Sequence, residues 1–132
     1  MDRKTAKSSN PRSDIKIRAS SLSHIGRVRN SNQDVGRHEV APSAPCEAKA
    51  LLVVADGMGG HAAGEVASRM AVDGLLDSLS LASTGTYDLG VLLETAVKQV
   101  NSVVYDAGTE PEHRGMGTTL TAALIVNSYL YV

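Results

Sequence analysis

One uninterrupted apolar run, residues 50–55 (ALLVVA), constrains the fold more than any other segment of this sequence. A run of this length, rich in valine and leucine, predicts a central β-strand that is buried on both faces. The run stops at Asp56 and Gly57, a pair typical of turns, and Gly59, Gly60 and Gly64 follow closely. The sequence therefore predicts a buried strand that leads into a glycine-rich loop.

The segments around this strand predict an α+β fold. Two helices are predicted after the loop, over residues 63–75 and 89–104, because their apolar residues recur with the helical period of about 3.6. Strands are predicted at residues 15–19, 33–40, 118–126 and 129–132, with loops or polar connections at residues 23–32, 41–49, 78–87 and 108–117. Two consecutive helices between groups of strands do not fit βαβ alternation. We therefore expect both helices to pack on a mainly antiparallel sheet.

Composition argues against several classes of protein. Hydrophobic residues make up 42% of the 132 residues and aromatic residues 3%, so we expect one packed domain with a core of Ala, Val, Leu and Ile. A net charge of −1 gives no field that would attract nucleic acid or an anionic membrane. With one cysteine, no signal-like N-terminus and no long apolar span, we expect a cytoplasmic protein. Residues 1–14 are expected to form a disordered basic tail, and residues 15–132 the domain.

Asp56 and the glycines after it allow three interpretations. Gly57, Gly59 and Ala62 match the G-x-G-x-x-A pattern of dinucleotide-binding loops. Against that interpretation, Asp56 would place a carboxylate beside the pyrophosphate, and no acidic strand end follows about 20 residues later. A carboxylate at the end of a rigid strand is instead well placed to hold a hard cation. The third interpretation is a simple Asp-Gly turn.

A second acidic position lies upstream, in a loop that enters a predicted strand. Arg29 and Asp34 place a cation and an anion close together in the sequence there. They could form a surface ion pair, worth about 0–1 kcal/mol. Alternatively, Asp34 could bind a metal ion while the guanidinium of Arg29 binds a phosphate through two parallel hydrogen bonds. The residues alone leave both alternatives open.

Three motifs together carry a family resemblance. They are Arg29 followed by Asn32, Gln33 and Asp34, then residues 54–65 (VADGMGGHAAGE), then residues 115–120 (GMGTTL). In this order and spacing they resemble the metal-dependent protein phosphatases, and more narrowly the bacterial branch of the protein phosphatase 2C family. The resemblance covers residues 17–132.

The resemblance implies a fold and a site. The fold would be part of a β-sandwich flanked by helices, a four-layer αββα arrangement, with two divalent ions, Mn²⁺ or Mg²⁺, at one end. By position, Asp56 would bridge the two ions and the Gly57 carbonyl would bind one of them. Asp34 would lie in the shell of one ion, and Arg29 would hold the substrate phosphate.

The same resemblance implies a reaction and partners. The reaction is hydrolysis of phosphoserine or phosphothreonine in proteins by a water that bridges two ions about 3.5–4 Å apart. The implied partners are phosphorylated proteins and a serine/threonine kinase that modifies them. Because this mechanism needs no covalent intermediate, Cys46 is not expected to act as a nucleophile.

The sequence departs from the family pattern at two positions in these motifs. Gln33 stands where many members have Glu, although an amide can still hydrogen-bond a metal-bound water. Met58 stands where animal members carry the histidine assigned to protonate the leaving group. Methionine cannot donate that proton, so His61 is the candidate substitute. Thr118 and Thr119 are expected to support the cleft through the sheet rather than to contact substrate.

The later motifs of the family do not occur in this sequence. Members continue with Gly-Asp-Ser-Arg, Ser-Asp-Gly and Asp-Asn segments, and the last two supply further metal-binding aspartates, whereas this sequence ends at Val132 within a predicted strand. Asp34 and Asp56 are few carboxylates for two divalent ions. We therefore expect the N-terminal portion of a phosphatase catalytic domain, incomplete by itself. The alternative is a catalytically inactive fragment that acts as a binding or regulatory module.

Overall fold

The computed structural model describes residues 16–59, 63–82 and 88–132. Its elements are β1 (Asp34–Val40), β2 (Ala50–Met58), α1 (Ala63–Leu81), α2 (Leu89–Ala107), a short 3₁₀ helix (Pro111–His113), β3 (Gly117–Thr118), β4 (Thr121–Val126) and β5 (Tyr129–Tyr131). This order confirms the predicted α+β arrangement of strands, two consecutive helices and strands. The predicted tail over residues 1–14, together with Ile15 and His61, lies outside the described residues.

The strands form one antiparallel sheet with β2 at its centre. The order across the sheet is β1-β2-β4-β5, and β3 extends the pairing of β2 beyond the end of β4. Every strand pair is antiparallel, as the sequence predicts. The strand predicted over residues 118–126 is interrupted, because Thr119 and Leu120 lie between β3 and β4.

Both helices contribute to a core on one face of the sheet. α1 packs against β2 and β1, and α2 packs mainly against α1 and contacts the sheet at β5. The core contains Leu51, Val53 and Ala55 of β2, Leu124 of β4, Val72 and Leu75 of α1, and Ala96 and Val100 of α2. Aromatic side chains are absent from the fully buried apolar set within the described residues, and the core consists mainly of Ala, Val and Leu. Isoleucine, which the composition also predicts there, is not among these buried residues.

The prediction that β2 is buried on both faces is wrong. Its burial alternates: Val53 is 2% exposed, whereas Val54 is 60% exposed and Met58 57% exposed. The reason is that the helices cover the face that carries Leu51, Val53 and Ala55, and no described element covers the other face to the same extent. Successive side chains of a strand point to opposite faces, so Leu52, Val54, Asp56 and Met58 remain accessible, whereas Ala50 at the start of the strand is buried. We call this second side the open face.

Two further boundaries differ from the prediction. The strand predicted over residues 15–19 is not a strand where it is described, although Ile17 and Ala19 are half-buried and their neighbours are exposed. The alternation is present, but no described strand pairs with this segment. The polar break predicted from Ser78 begins later, because α1 continues to Leu81 and buries Leu79 completely. Neither α1 nor α2 has the length and hydropathy needed to cross a membrane.

Candidate functional site

Asp34 and Asp56 lie opposite each other on neighbouring strands. The register of β1 and β2 pairs these two residues directly, so their side chains leave the same face of the sheet. In such a pair the Cβ atoms are about 4.5–5.5 Å apart, and two like charges directly opposite each other are unfavourable. Both residues are exposed on the open face. The pair therefore favours a bound cation, which would compensate the repulsion between the two carboxylates.

An open cavity of about 600 Å³ adjoins this pair. It is lined by Val28, Arg29, Asn30, Ser31, Gln33, Asp56, Gly57, Met58, Gly59 and Thr119. Arg29, Asp56 and Gly57 are thus brought together, whereas Asp34 is joined to them through its pairing with Asp56 rather than as a lining residue. Arg29 takes part in none of the three ion pairs found among the described residues, so its guanidinium is available to an anion.

Thr118 and Thr119 hold the backbone of Asp56. The Asp56 N–H donates to Oγ1 of Thr119 at 3.0 Å, and the Thr119 N–H donates back to the Asp56 carbonyl oxygen at 2.9 Å. The Thr118 hydroxyl lies 3.1 Å from the same oxygen. Because the sheet pairing is interrupted here, the Thr119 side chain takes the place of a backbone acceptor. These contacts support the expected role of both threonines beneath the cleft.

The two glycines Gly57 and Gly64 let the loop approach the first turn of α1. The Gly57 N–H donates to the Gln33 carbonyl oxygen at 3.0 Å, and a Cβ atom at Gly57 would collide with the carbonyl oxygen of Gly64. Only glycine therefore fits at position 57. This contact brings the end of β2 against the helix, and in the sequence only the cluster of glycines hints at it.

Asn32, which belongs to the first motif but has no role assigned from the sequence, supports Asp34. Its Oδ1 accepts the N–H of Asp34 at 3.2 Å, and its Nδ2 donates to the hydroxyl of Ser23 at 2.7 Å. The first bond is the side-chain-to-backbone contact two residues on that asparagine commonly makes at turns. The sequence contains a signal for this role, because asparagine is common in the turn that precedes a strand and Asn32 lies two residues before β1 begins.

Cys46 lies apart from this cavity. Its Sγ is 3.2 Å from the carbonyl oxygen of Leu79, near the end of α1, and it is not among the residues that line the cavity. Burial raises the pKa of the Cys46 thiol, which keeps it protonated and poorly nucleophilic at neutral pH. The expectation that Cys46 is no nucleophile remains a prediction.

The potential metal ligands at the site are of the type that a hard divalent cation prefers. The carboxylates of Asp34 and Asp56 and the carbonyl of Gly57 offer only oxygen atoms, the ligands that Mg²⁺ and similar ions prefer. Within the described residues, however, no group of three or more metal-binding side chains occurs. The described chain therefore offers part of a coordination shell.

A family model described as Protein phosphatase 2C matches residues 23–132 of the chain. The chain belongs to the protein phosphatase 2C family. This assignment confirms the resemblance drawn from the three motifs, and it disfavours the dinucleotide-binding interpretation of the glycine loop.

Named members of the protein phosphatase 2C family cover most of this chain. The serine/threonine phosphatase stp of Listeria innocua is 38% identical over a match of 111 residues that covers 81% of this chain and 42% of that protein. The structure of the S. agalactiae serine/threonine phosphatase matches with a TM-score of 0.68 at 30% identity, covering 83% of this chain and 44% of the other. The structure of the PstP catalytic domain in complex with two manganese ions matches with a TM-score of 0.65 at 40% identity, covering 83% and 43%.

These relatives indicate the branch of the family and how much of a relative's length this chain spans. The named organisms are bacterial, which confirms the predicted branch of the protein phosphatase 2C family. The chain spans about two fifths of the length of these relatives, in line with the expectation of a partial phosphatase domain.

Proposed function

We propose that this chain supplies part of a two-metal site that hydrolyses phosphoserine or phosphothreonine in proteins. The observation that supports it best is the direct pairing of Asp34 with Asp56 beside a cavity that also contains Arg29. Anionic ligands and a phosphate-binding cation thereby meet on one accessible face. The related PstP structure, which holds two manganese ions, supports the choice of metal.

The proposed roles follow from the chemistry of each residue. Asp56 and Asp34 would hold Mn²⁺ or Mg²⁺, and the Gly57 carbonyl would add a neutral oxygen ligand. When bound, such ions activate an attacking water as Lewis acids and compensate charge on the phosphate. The two carboxylates carry two negative charges against four positive charges, so further oxygen ligands are needed for a complete shell.

Arg29 would bind and orient the substrate phosphate. Its planar guanidinium can donate two parallel hydrogen bonds to phosphate oxygens, a geometry that lysine cannot reproduce. Because Arg29 and Asp56 line the same cavity, a phosphate held by Arg29 would lie close to the metal ions that Asp56 would hold. Protonation of the leaving alkoxide is assigned to His61, because Met58 lines the cavity and a thioether has no proton to donate.

The substrates and setting are part of the same proposal. Phosphorylated proteins are the expected substrates, with a serine/threonine kinase as the enzyme that phosphorylates the same sites, in the cytoplasm. The alternative is a binding or regulatory module without turnover. It is favoured by one observation, the absence of a third metal-binding side chain near Asp34 and Asp56 within the described residues.

Manganese binding and turnover test the proposal together. In the 132-residue chain, we expect Mn²⁺ at about 100 times its Kd to raise the free energy of unfolding by about 2.7 kcal/mol. Asp56→Ala should abolish this gain. Removing one of two facing carboxylates relieves repulsion, so the metal-free variant should be at least as stable as the wild type. Asp77→Ala, an exposed carboxylate on α1, is the matched control and should keep the full gain.

Hydrolysis of a phosphothreonine peptide distinguishes enzyme from module. Turnover that requires Mn²⁺ and is lost in Asp56→Ala supports the phosphatase. Stabilisation by Mn²⁺ without turnover supports the binding module. Turnover that persists in a chelator or in Asp56→Ala contradicts the proposed mechanism.

A further inference from the structure

The side chain of Gln33 contacts the glycine loop that follows Asp56. Its Nε2 donates a hydrogen bond to the carbonyl oxygen of Gly59 at 3.3 Å, and its backbone carbonyl accepts the N–H of Gly57 at 3.0 Å. One residue at the start of β1 therefore contacts the loop at two points. The Gly57 carbonyl, a proposed metal ligand, lies between these two points in the sequence.

The amide of Gln33 is also packed against α1. A Cβ atom at Gly64 would lie 2.8 Å from Cδ of Gln33 and 3.0 Å from both Nε2 and Oε1. These distances are shorter than ordinary van der Waals contacts, so the amide fits there only because position 64 has no side chain. Gln33 is half-buried between the loop on one side and the first turn of α1 on the other.

An amide can make this contact and a carboxylate cannot. The bond to Gly59 needs an N–H donor, whereas an ionised glutamate offers only acceptors and would place a charged oxygen against the carbonyl oxygen. The first turn of α1, against which Gln33 packs, favours an anion, but this effect does not replace the N–H donor that the Gly59 carbonyl oxygen would lose. The hydrogen bond from Gln33 to a metal-bound water stays a prediction, and the bond to Gly59 gives the amide a second role within the protein.

We propose that Gln33 is a positioning residue, which fixes the glycine loop against α1 and thereby holds the Gly57 carbonyl in place. Introducing the glutamate that is common at this position in the family should then loosen the site. The test has two arms: a structural arm, which measures amide hydrogen exchange, and a metal arm, which measures Mn²⁺ affinity. Only the metal arm rests on the proposed function.

Amide hydrogen exchange in the metal-free 132-residue chain provides the structural arm. In Gln33→Glu and in Gln33→Met, we expect the Gly57 N–H to exchange about 3- to 10-fold faster, because one hydrogen bond to the loop is lost. Core amides such as that of Leu75 should keep their rates. The control Gln99→Glu makes the same chemical change on the exposed side of α2 and should leave Gly57 unchanged.

Two outcomes of this arm would overturn the proposal. Unchanged exchange at Gly57 in both Gln33 variants would show that the amide does not hold the loop. Equal acceleration at Gly57 and Leu75 would show that Gln33 supports the whole fold rather than the loop.

Manganese affinity provides the second arm. We expect both Gln33 variants to bind Mn²⁺ about 3- to 10-fold more weakly, although Glu adds a negative charge near the cation. Tighter binding in Gln33→Glu would overturn the proposal, because the carboxylate would then have joined the metal shell. If the wild type binds no Mn²⁺, the proposed function fails, and the exchange arm still decides the role of Gln33.

Discussion

At the scale of single residues, Asp56 depends on neighbours that belong to another part of the sequence. Its N–H and carbonyl groups are satisfied by Thr119, from the segment between β3 and β4. A side-chain hydroxyl thus occupies a place that a backbone carbonyl normally fills in a sheet. Replacing the Thr119 hydroxyl by a methyl group should therefore disturb the position of the Asp56 carboxylate.

Thr119→Val tests this dependence. The variant keeps the shape of the side chain but leaves the exposed Asp56 N–H without its protein acceptor, so we expect a loss of about 0.5–1.5 kcal/mol in the free energy of unfolding. Thr119→Ser should restore most of it. Thr95→Val is the control, since its hydroxyl donates to the Val91 carbonyl on the exposed surface of α2 and should cost little. Equal losses for Thr119→Val and Thr95→Val in urea denaturation would contradict this account.

The sequence singles out Asp34, Asp56 and Arg29, whose roles stay predictions, and it indicates that Thr119 supports the cleft without showing by which contacts. Asp34, Asp56 and Arg29 can be identified from the sequence because their charged side chains and their places in the motifs are visible there. The support from Thr119 depends on where β4 stops pairing with β2, and residues 118–126 look like one β-branched strand. The contact between Gln33 and Gly64 was equally hidden, because it joins two elements through space.

At the scale of elements, α2 begins where a side chain caps it. Asp88 precedes the helix, and its Oδ1 accepts the N–H of Gly90 at 2.8 Å and that of Val91 at 3.2 Å. These groups have no partner inside a helix, and a carboxylate also suits the positive end of the helix dipole. The start of α2 at Leu89 thus follows from Asp88 as well as from the apolar period.

Asp88→Ala should destabilise the fold by about 1 kcal/mol, because two N–H groups lose their acceptor. Asp106→Ala is the matched control at the other end of α2, where a negative charge faces the negative end of the dipole. That variant should be neutral or slightly stabilising. Urea denaturation midpoints with an unchanged slope would measure both effects, and equal losses would argue against the capping role.

Periodicity predicted the helices but not which residues they bury. In α1, Ser68 and Val72 are fully buried, whereas the apolar residues Val66 and Met70 are only partly buried. Ser68 tolerates burial because its hydroxyl donates to the Glu65 carbonyl at 3.2 Å. The apolar pattern alone could not reveal a polar residue that satisfies itself within its own helix.

At the scale of the whole molecule, the described part of the chain has one helical layer and one sheet. The apolar character of residues 50–55 suggested burial on both sides, yet Val54 is 60% exposed. A sequence pattern reports how apolar a strand is, and it cannot say which elements will cover each face. The four-layer sandwich belongs to the family expectation, and this chain spans about two fifths of its relatives.

Two leucines on neighbouring strands test this one-sided construction. Leu124 on β4 is 0% exposed, and Leu130 on β5 is 62% exposed. Leu124→Ala should cost about 2–5 kcal/mol, as for other buried leucines, whereas Leu130→Ala should cost less than about 1 kcal/mol. A comparable loss for Leu130→Ala would mean that the open face is covered in solution.

The pairing of Asp34 with Asp56 has a consequence for how the chain finds its register. The closed end of this hairpin pairs Val40 with Ala50, so the two aspartates sit at its open end, farthest from the connecting segment. A slip of one residue would turn one of the two carboxylates to the opposite face. A cation that needs both carboxylates can therefore bind only the correctly aligned hairpin. Metal binding would therefore favour the native register at the open end of the hairpin, where the segment that connects β1 to β2 constrains the register least.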